Sequence, residues 1–295
     1  MEKKPQASPL IIIGMHRSGT SMTARLLESL GVFMGWKKQG DHEALFFNHL
    51  NEWMFDQSGA DWDRPDPVVE LLAHDQLCAH VESYLRITLA SPRCVAYLGP
   101  SRYLRYRSML AIREPWGWKD PRTTYVLPMW MRLFPDAKVL HVLRHGVDVA
   151  QSLKARNARN LERIGARTQR VRFKYQFLPK RKGFLNSVRC ETLEGGLELW
   201  REYVERAGEV IEPLGDRALE IRYEDLLARP TEVLPEIARF TGIEASTADV
   251  ERASERVDAG RAFAYRRSAE LSALAEREST VLARHGYALN EAEVG

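Results

Sequence analysis

The sequence predicts an α/β fold, a central parallel β-sheet flanked by helices, and three observations carry that prediction. Two short β-rich apolar runs, Leu10-Ile11-Ile12-Ile13 and Lys138-Val139-Leu140-His141-Val142-Leu143, each break into a polar turn and then a helical pattern. Two strand-turn-helix units in one chain argue for a parallel sheet with right-handed crossovers. Both runs are too short for helices, and their near-continuous apolarity is what strands buried on both faces need. At 295 residues with 44% hydrophobic content, the chain is long enough for one large domain, and no Pro/Gly/Ser-rich linker divides it.

In chain order, Pro9 to Ile13 reads as the first strand, and Met22, Leu26, Leu27 and Leu30 as one face of the first helix. Gly31 to Gly40 is a loop with Trp36, Lys37 and Lys38. Asp41-His42-Glu43 then gives an acidic start to a helix over Ala44–Gln57. After Pro65 and Pro67 the spacing predicts a helix over Val68–Leu89, and after Pro100 another over Arg102–Ile112. Together these make a helical insertion over about 41–113. Trp116-Gly117-Trp118-Lys119 reads as a short strand whose turn is set by Pro121, which disfavours helix at the residue before it. Helix returns over Thr123–Phe134, and after the second long strand another begins at Val147. Lys154 to Arg189 holds twelve Lys or Arg against one acid, Glu162, with Phe173, Tyr175, Phe177 and Phe184 interleaved. It reads as a long basic, lid-like loop. Thr192–Ile211 is a helix, Arg217–Arg222 a strand, and Tyr223–Leu227 a short helix ending before Pro230. The remainder to Tyr287 reads as helices around an Arg-rich stretch.

Composition narrows the classes of function. No run approaches the roughly 18 apolar residues of a membrane span. The stretch Met1 to Ser8 is polar and lacks the apolar core of a secretory signal, so a cytoplasmic location is expected. Cys78, Cys94 and Cys190 are scattered without zinc or disulfide spacing and read as buried thiols. A net charge of +3 is too small to imply a nucleic-acid partner.

The first turn, Gly14-Met15-His16-Arg17-Ser18-Gly19-Thr20-Ser21, carries the chemistry. Between a strand and a helix, the backbone N–H groups of Ser18 to Ser21 stand at a helix N-terminus, a corner that binds anions. Against the Walker A pattern G-x-x-x-x-G-K-S/T the loop matches at Gly14, Gly19 and Ser21 and puts Thr20 where the lysine belongs. That lysine neutralises the transferring phosphates in an ATPase. Here Arg17 is the substitute cation, and its planar fork suits a group with several acceptor oxygens. The plain alternative is a tight turn with no ligand.

A second corner is Arg144-His145-Gly146-Val147-Asp148-Val149-Ala150-Gln151-Ser152. Arg144 ends a strand, Ser152 follows eight residues later and Arg156 one helical turn further, so all three can face one phosphate beyond the carboxyl ends of the strands. An ordinary surface arginine and helix serine are the alternative.

These segments resemble the sulfotransferase family. Arg17-Ser18-Gly19-Thr20-Ser21 is similar to its phosphosulfate-binding loop, Lys119-Asp120-Pro121 to the Lys-Asp-Pro segment of tyrosylprotein and some carbohydrate sulfotransferases, Arg144 and Ser152 to its 3′-phosphate pair, and Ile221-Arg222-Tyr223-Glu224-Asp225 to a segment whose tyrosine approaches the nucleotide. The resemblance implies a P-loop NTPase-like three-layer fold and a single domain spanning the chain. It implies in-line, metal-free transfer of a sulfuryl group from 3′-phosphoadenosine 5′-phosphosulfate (PAPS) to an acceptor hydroxyl, with adenosine 3′,5′-bisphosphate (PAP) as product. Arg17, Ser18, Gly19, Thr20 and Ser21 then bind the phosphosulfate, Lys119 steadies the leaving phosphate, and Arg144, Ser152 and Arg156 read the 3′-phosphate. Tyr223 approaches the nucleotide, with Arg266 or Arg267 over it.

The acceptor must lose a proton as it attacks. Glu43 is the first candidate base, at roughly the place where Golgi-type sulfotransferases keep their glutamate, although this chain is longer between loop and acid. His42, Asp41 and His16 are rivals, and Glu43 as a plain helix-start acid is the alternative. Trp53, Trp62, Tyr175 and Phe177 are candidate acceptor contacts, and the acceptor is a carbohydrate, a lipid-linked sugar, a natural-product hydroxyl or a peptide tyrosine. Two other readings stay open: a Mg-dependent P-loop nucleotide or small-molecule kinase, and a non-catalytic nucleotide-binding protein.

Overall fold

The computed structural model describes residues 7–171, 173, 176, 177 and 186–288; Tyr175 and Phe184 of the basic segment lie outside these. In chain order the elements are β1 (Leu10–Ile13), α1 (Thr20–Ser29), α2 (Leu45–Ser58), α3 (Asp66–Ala73), α4 (Asp75–Leu89), α5 (Val95–Tyr106), β2 (Gly117–Lys119), α6 (Thr123–Leu133), β3 (Lys138–Leu143), α7 (Gly146–Val171), α8 (Leu193–Ile211), β4 (Ala218–Arg222), α9 (Tyr223–Ala228), α10 (Pro230–Thr241), α11 (Thr247–Ser254), α12 (Ala269–Arg277) and α13 (Ser279–Arg284). The chain divides into two compact units, Met1–Leu143 with Tyr203–Ala262 and Arg144–Glu202 with Phe263–Gly295, so the division falls within α8.

The first unit holds the sheet, four parallel strands in the order β2-β1-β3-β4 flanked by helices. Ile12 pairs with both Lys119 and Leu140. Leu10, Ile12, Leu140, Val142 and Ile221 turn one face of the sheet into a core shared with Leu26 and Leu27 of α1, Leu226 and Leu227 of α9, Leu234 and Ile237 of α10 and Val250 of α11. Alternation sends Trp118, paired with Ile11, to the opposite face. There it stacks on Phe47 of α2 at 3.9 Å and meets Trp130 of α6 edge-on at 5.2 Å. Because the strands run parallel, the turns after β1, β2 and β4 emerge at one edge of the sheet, where α/β folds keep their ligands.

Three elements differ from the sequence expectation. The helix expected over Val68–Leu89 is two helices, because His74 takes an extended conformation (φ −85°, ψ 110°) and its ring caps the second by accepting from the Leu77 amide at 3.5 Å. The helix expected to start after Pro100 begins earlier, at Val95, and is kinked at Gly99 (φ 70°, ψ 169°). Residues 154–171 of the basic segment continue α7 instead of forming a loop. Alanine, arginine, leucine and glutamate, good helix formers, fill that stretch, so its charge does not break it.

In the second unit, Val147, Ala150 and Leu153 of α7 are buried with Leu197 and Trp200 of α8, Leu271 and Leu274 of α12 and Leu282 of α13. Trp200 Nε1 donates to the Arg144 carbonyl at 2.9 Å. Buried Asn157 ties the chain beyond the basic segment back to α7: its Nδ2 donates to the Ser187 carbonyl at 3.0 Å and its Oδ1 accepts from the Ser187 amide at 3.1 Å.

Trp118 is fully buried at the centre of the aromatic cluster. Trp118→Ala is expected to lower the unfolding free energy by about 3–5 kcal/mol, measured by urea denaturation.

Candidate functional site

The loop after β1 has the backbone of an anion cradle. Gly14 (φ 136°) and Gly19 (φ 99°) lie in the left-handed region, and a Cβ on Gly19 would come within 2.1 Å of the Tyr223 ring. Tyr223, the first residue of α9, is thereby set against the loop. Arg17 also has positive φ, 71°. A non-glycine residue there costs on the order of 1–2 kcal/mol, a strain that loops keep where a side chain must point one way. Helix α1 starts at Thr20 with no side-chain cap and no acid in its first turn, so its first amides keep their donor capacity. Ser18 Oγ is buried and has no hydrogen-bond partner among the described residues. The Ser21 hydroxyl donates to the Asp41 carbonyl at 2.7 Å, linking the loop's end to the stretch before α2.

Beside that loop, at the end of β2, the structure joins two residues 76 positions apart: Lys119 Nζ donates to Glu43 Oε1 at 2.9 Å. Both are buried. Asn48 Nδ2 donates to the other carboxylate oxygen, Glu43 Oε2, at 2.7 Å, and Asn48 Oδ1 accepts from Gln39 Nε2 at 2.6 Å. Asp120 and Arg122 form a second pair at 2.9 Å, and Arg122 also donates to the Asn48 carbonyl at 3.1 Å. Burial first, then the nearby Asp120 charge, raises the Glu43 pKa, and Lys119 offsets part of the rise. Burial alone would lower the Arg122 pKa, but Asp120 outweighs it and holds the guanidinium above its ordinary value. The carboxylate of Glu43 therefore has its partners on Lys119 and Asn48, not on the amides of the helix start that the plain alternative invoked.

The rival bases sit elsewhere. His42, at φ 64°, turns its Nε2 to within 2.9 Å of Glu28 Oε2 on α1, and burial and Lys38 lower its pKa. Asp41 is exposed and meets the loop through its backbone carbonyl. His16 leans edge-on against Trp62 at 5.0 Å and Tyr203 at 6.2 Å. Trp53 stacks on Tyr84 at 4.0 Å.

The remaining predicted residues belong to the second unit. Arg144 Nη2 is 3.6 Å from Asp148 Oδ2, and Ser152 and Arg156 follow at four-residue spacing on α7, both half-buried. Asp148 also accepts from the Ala264 and Tyr265 amides at 3.2 and 2.8 Å, which seats the Arg-rich stretch against the start of α7. The Tyr265 ring stacks on His145 at 4.2 Å, and Arg266 lies 4.3 Å over the Phe263 ring. Burial, then the charges of Arg266 and Arg144, pushes the His145 pKa down to about 3. Burial raises the Asp148 pKa against the pull of Arg144 and the two amides.

Residues 9–247 match the sequence model of the sulfotransferase family. The chain belongs to that family. No curated protein matches the sequence. Among solved structures, the sulfotransferase domain of the Synechococcus PCC 7002 olefin synthase is 17% identical, with TM-score 0.49, covering 98% of this chain and 99% of that one. The sulfotransferase domain from the curacin biosynthetic pathway is 14% identical, with TM-score 0.48, over 94% and 99% of the two chains. The sulfotransferase from Alicyclobacillus acidocaldarius is 17% identical, with TM-score 0.45, over 95% and 96%.

In this sulfotransferase two polar residues escaped the sequence reading. Asn48 lies on the inner face of α2 among apolar neighbours, where a buried amide signals a buried polar partner. Asp148 stands in the first turn of α7, where an acid suits the helix dipole and so drew no notice.

Two outcomes are expected of the sulfotransferase. Lys119→Met leaves the Glu43 carboxylate buried without its cation, costing about 3–5 kcal/mol in urea unfolding at about pH 8. The loss shrinks toward acid pH, where Glu43 is protonated, and Lys119→Met/Glu43→Gln recovers most of it. His145 is neutral in the fold, with a pKa of about 3 against 6.5 in the unfolded chain, so stability falls as pH drops below 6.5. In His145→Phe the fall in Tm between about pH 7 and about pH 5 is smaller than in the wild type.

Proposed function

We propose that this sulfotransferase moves the sulfuryl group of PAPS to an acceptor hydroxyl and releases PAP. The observation that carries the reading is the buried Glu43–Lys119 pair, 2.9 Å apart, beside a loop that lacks the Walker lysine. The loop fits the 5′ end of such a donor: Ser18 Oγ is buried with no partner among the described residues, and α1 begins uncapped. In this reading the donor supplies the sulfuryl group, and the chain supplies charge and a base.

Arg17, the Ser18 hydroxyl and the amides of Gly19, Thr20 and Ser21 bind the phosphosulfate, the Ser18 amide being taken by the Met15 carbonyl at 3.1 Å; Tyr223 borders it, and Lys119 stabilises charge on the departing phosphate oxygen. Arg144, Ser152 and Arg156 bind the 3′-phosphate. Glu43 takes the acceptor proton; its raised pKa makes it a stronger base than an exposed glutamate. Arg17 and Lys119 neutralise the charge that a metal ion neutralises in P-loop kinases. The acceptor is a hydroxyl of a carbohydrate, lipid-linked sugar or natural product, and a cytoplasmic location belongs to the same proposal.

The test is thermal. PAP is expected to raise Tm well above the effect of equimolar AMP, and Arg144→Ala to abolish the difference. Equal shifts from PAP and AMP would sink the 3′-phosphate assignment, and stabilisation by ATP only with magnesium would favour a kinase. An acceptor screen with labelled PAPS, read by mass shift, then identifies the hydroxyl; Arg17→Ala and Lys119→Ala are expected to lose transfer.

A further inference from the structure

Asn48 occupies a place that packing alone would give to an apolar residue. It faces inward from α2 at 5% exposure, next to Phe47, and an amide there must recover its desolvation cost through hydrogen bonds. Asn51, three residues on, recovers it from neutral partners, donating to Thr123 Oγ1 at 2.9 Å and accepting from Trp130 Nε1 at 2.9 Å. Asn48 differs in kind. Its donor goes to the Glu43 carboxylate, its acceptor is held by Gln39, and its backbone carbonyl takes the Arg122 guanidinium. The Glu43 contact also fixes which way the amide faces, since the flipped orientation would aim Oδ1 at a carboxylate oxygen.

We propose that Asn48 is a positioning residue for the base, fixing the rotation of the Glu43 carboxylate by holding Oε2 while Lys119 holds Oε1, and setting its acidity through that bond. The inference rests on Glu43 being the base of the proposed reaction. The groups facing Glu43 are Lys119 at the end of β2, Asp120 and Arg122 in the turn before α6, and Asn48 from α2. Lys119 and Arg122 favour the charged form, Asp120 disfavours it, and the Asn48 donor adds a directional bond that only the charged oxygen rewards fully. A residue that merely fills space would leave the carboxylate's titration unchanged.

The experiment titrates Glu43 directly, by carboxyl-carbon NMR of glutamate-labelled protein, its resonance identified as the one absent from Glu43→Gln. In Asn48→Leu, close in volume and without a donor, the Glu43 midpoint is expected to rise by about one pH unit, a tenfold loss of acidity. Asn48→Asp raises it further, because a second carboxylate faces the first. Asn51→Ala serves as the structural comparison: it destabilises the fold and leaves the midpoint in place. Where Asn48→Leu fails to fold, Asn48→Ala gives the same readout. An unchanged midpoint in the donor-less variant overturns the proposal. The base assignment fails separately, if Glu43→Gln still transfers sulfate to the acceptor found by the screen.

Discussion

Four charges share one buried neighbourhood of the first unit: Lys119 and Arg122 against Glu43 and Asp120. Taking any one of them out of water alone costs several kcal/mol, and their mutual attraction at 2.9 Å offsets this only because further hydrogen bonds satisfy them. That requirement explains the polar inner face of α2. Asn48 spans both pairs, its side chain on Glu43 and its carbonyl on Arg122. The helix is thus attached to the β2–α6 turn by charge and hydrogen bonding at one end, and by the Phe47–Trp118 stack at 3.9 Å beside it. The aromatic cluster supplies the low-dielectric wall against which the charges are strong.

The second unit solves a related problem by other means. Asp148 is buried and its carboxylate is satisfied by two backbone amides of the Arg-rich stretch as well as by Arg144. Neighbouring His145 is kept neutral by burial between aromatic rings and by two arginines, so the unit gathers positive charge without adding more of it at the ring. An acid in each unit serves as an anchor for cations. In the first the anchored cation is the lysine of a strand end, and in the second it is Arg144.

Periodicity made the fold legible. Runs such as Ile11-Ile12-Ile13 and Val139-Leu140 admit little besides buried parallel strands, and β3 falls on the residues expected of it. Breaks inside helices were not legible, because His74 and Gly99 interrupt patterns whose apolar spacing continues across them. The basic segment differs for another reason: its charge density resembles that of a loop, whereas its residues up to 171 are good helix formers. At the site, Arg17, Lys119 and Glu43 were visible as residue types at motif positions. Asn48 was not, since nothing local in Phe46-Phe47-Asn48-His49 says that its partner lies five residues back and that partner's cation 76 residues on.

The register of one short strand ties these features together. Ile12 pairs with Lys119, so the lysine shares the face and level of the residue that leads into the loop, while Trp118 points the other way into the aromatic cluster. A slip of one residue would exchange them, burying an ammonium among tryptophans and turning an indole toward the loop. In a Walker site the cation belongs to the loop's own helix, and the loop's backbone positions it. Here Thr20 occupies that place, and Lys119 stands on the adjacent strand, its position set by β-sheet hydrogen bonding and its ammonium held by Glu43. Mispairing is opposed by both the desolvation of the lysine and the loss of the Trp118 stack, so charge and packing select the same register.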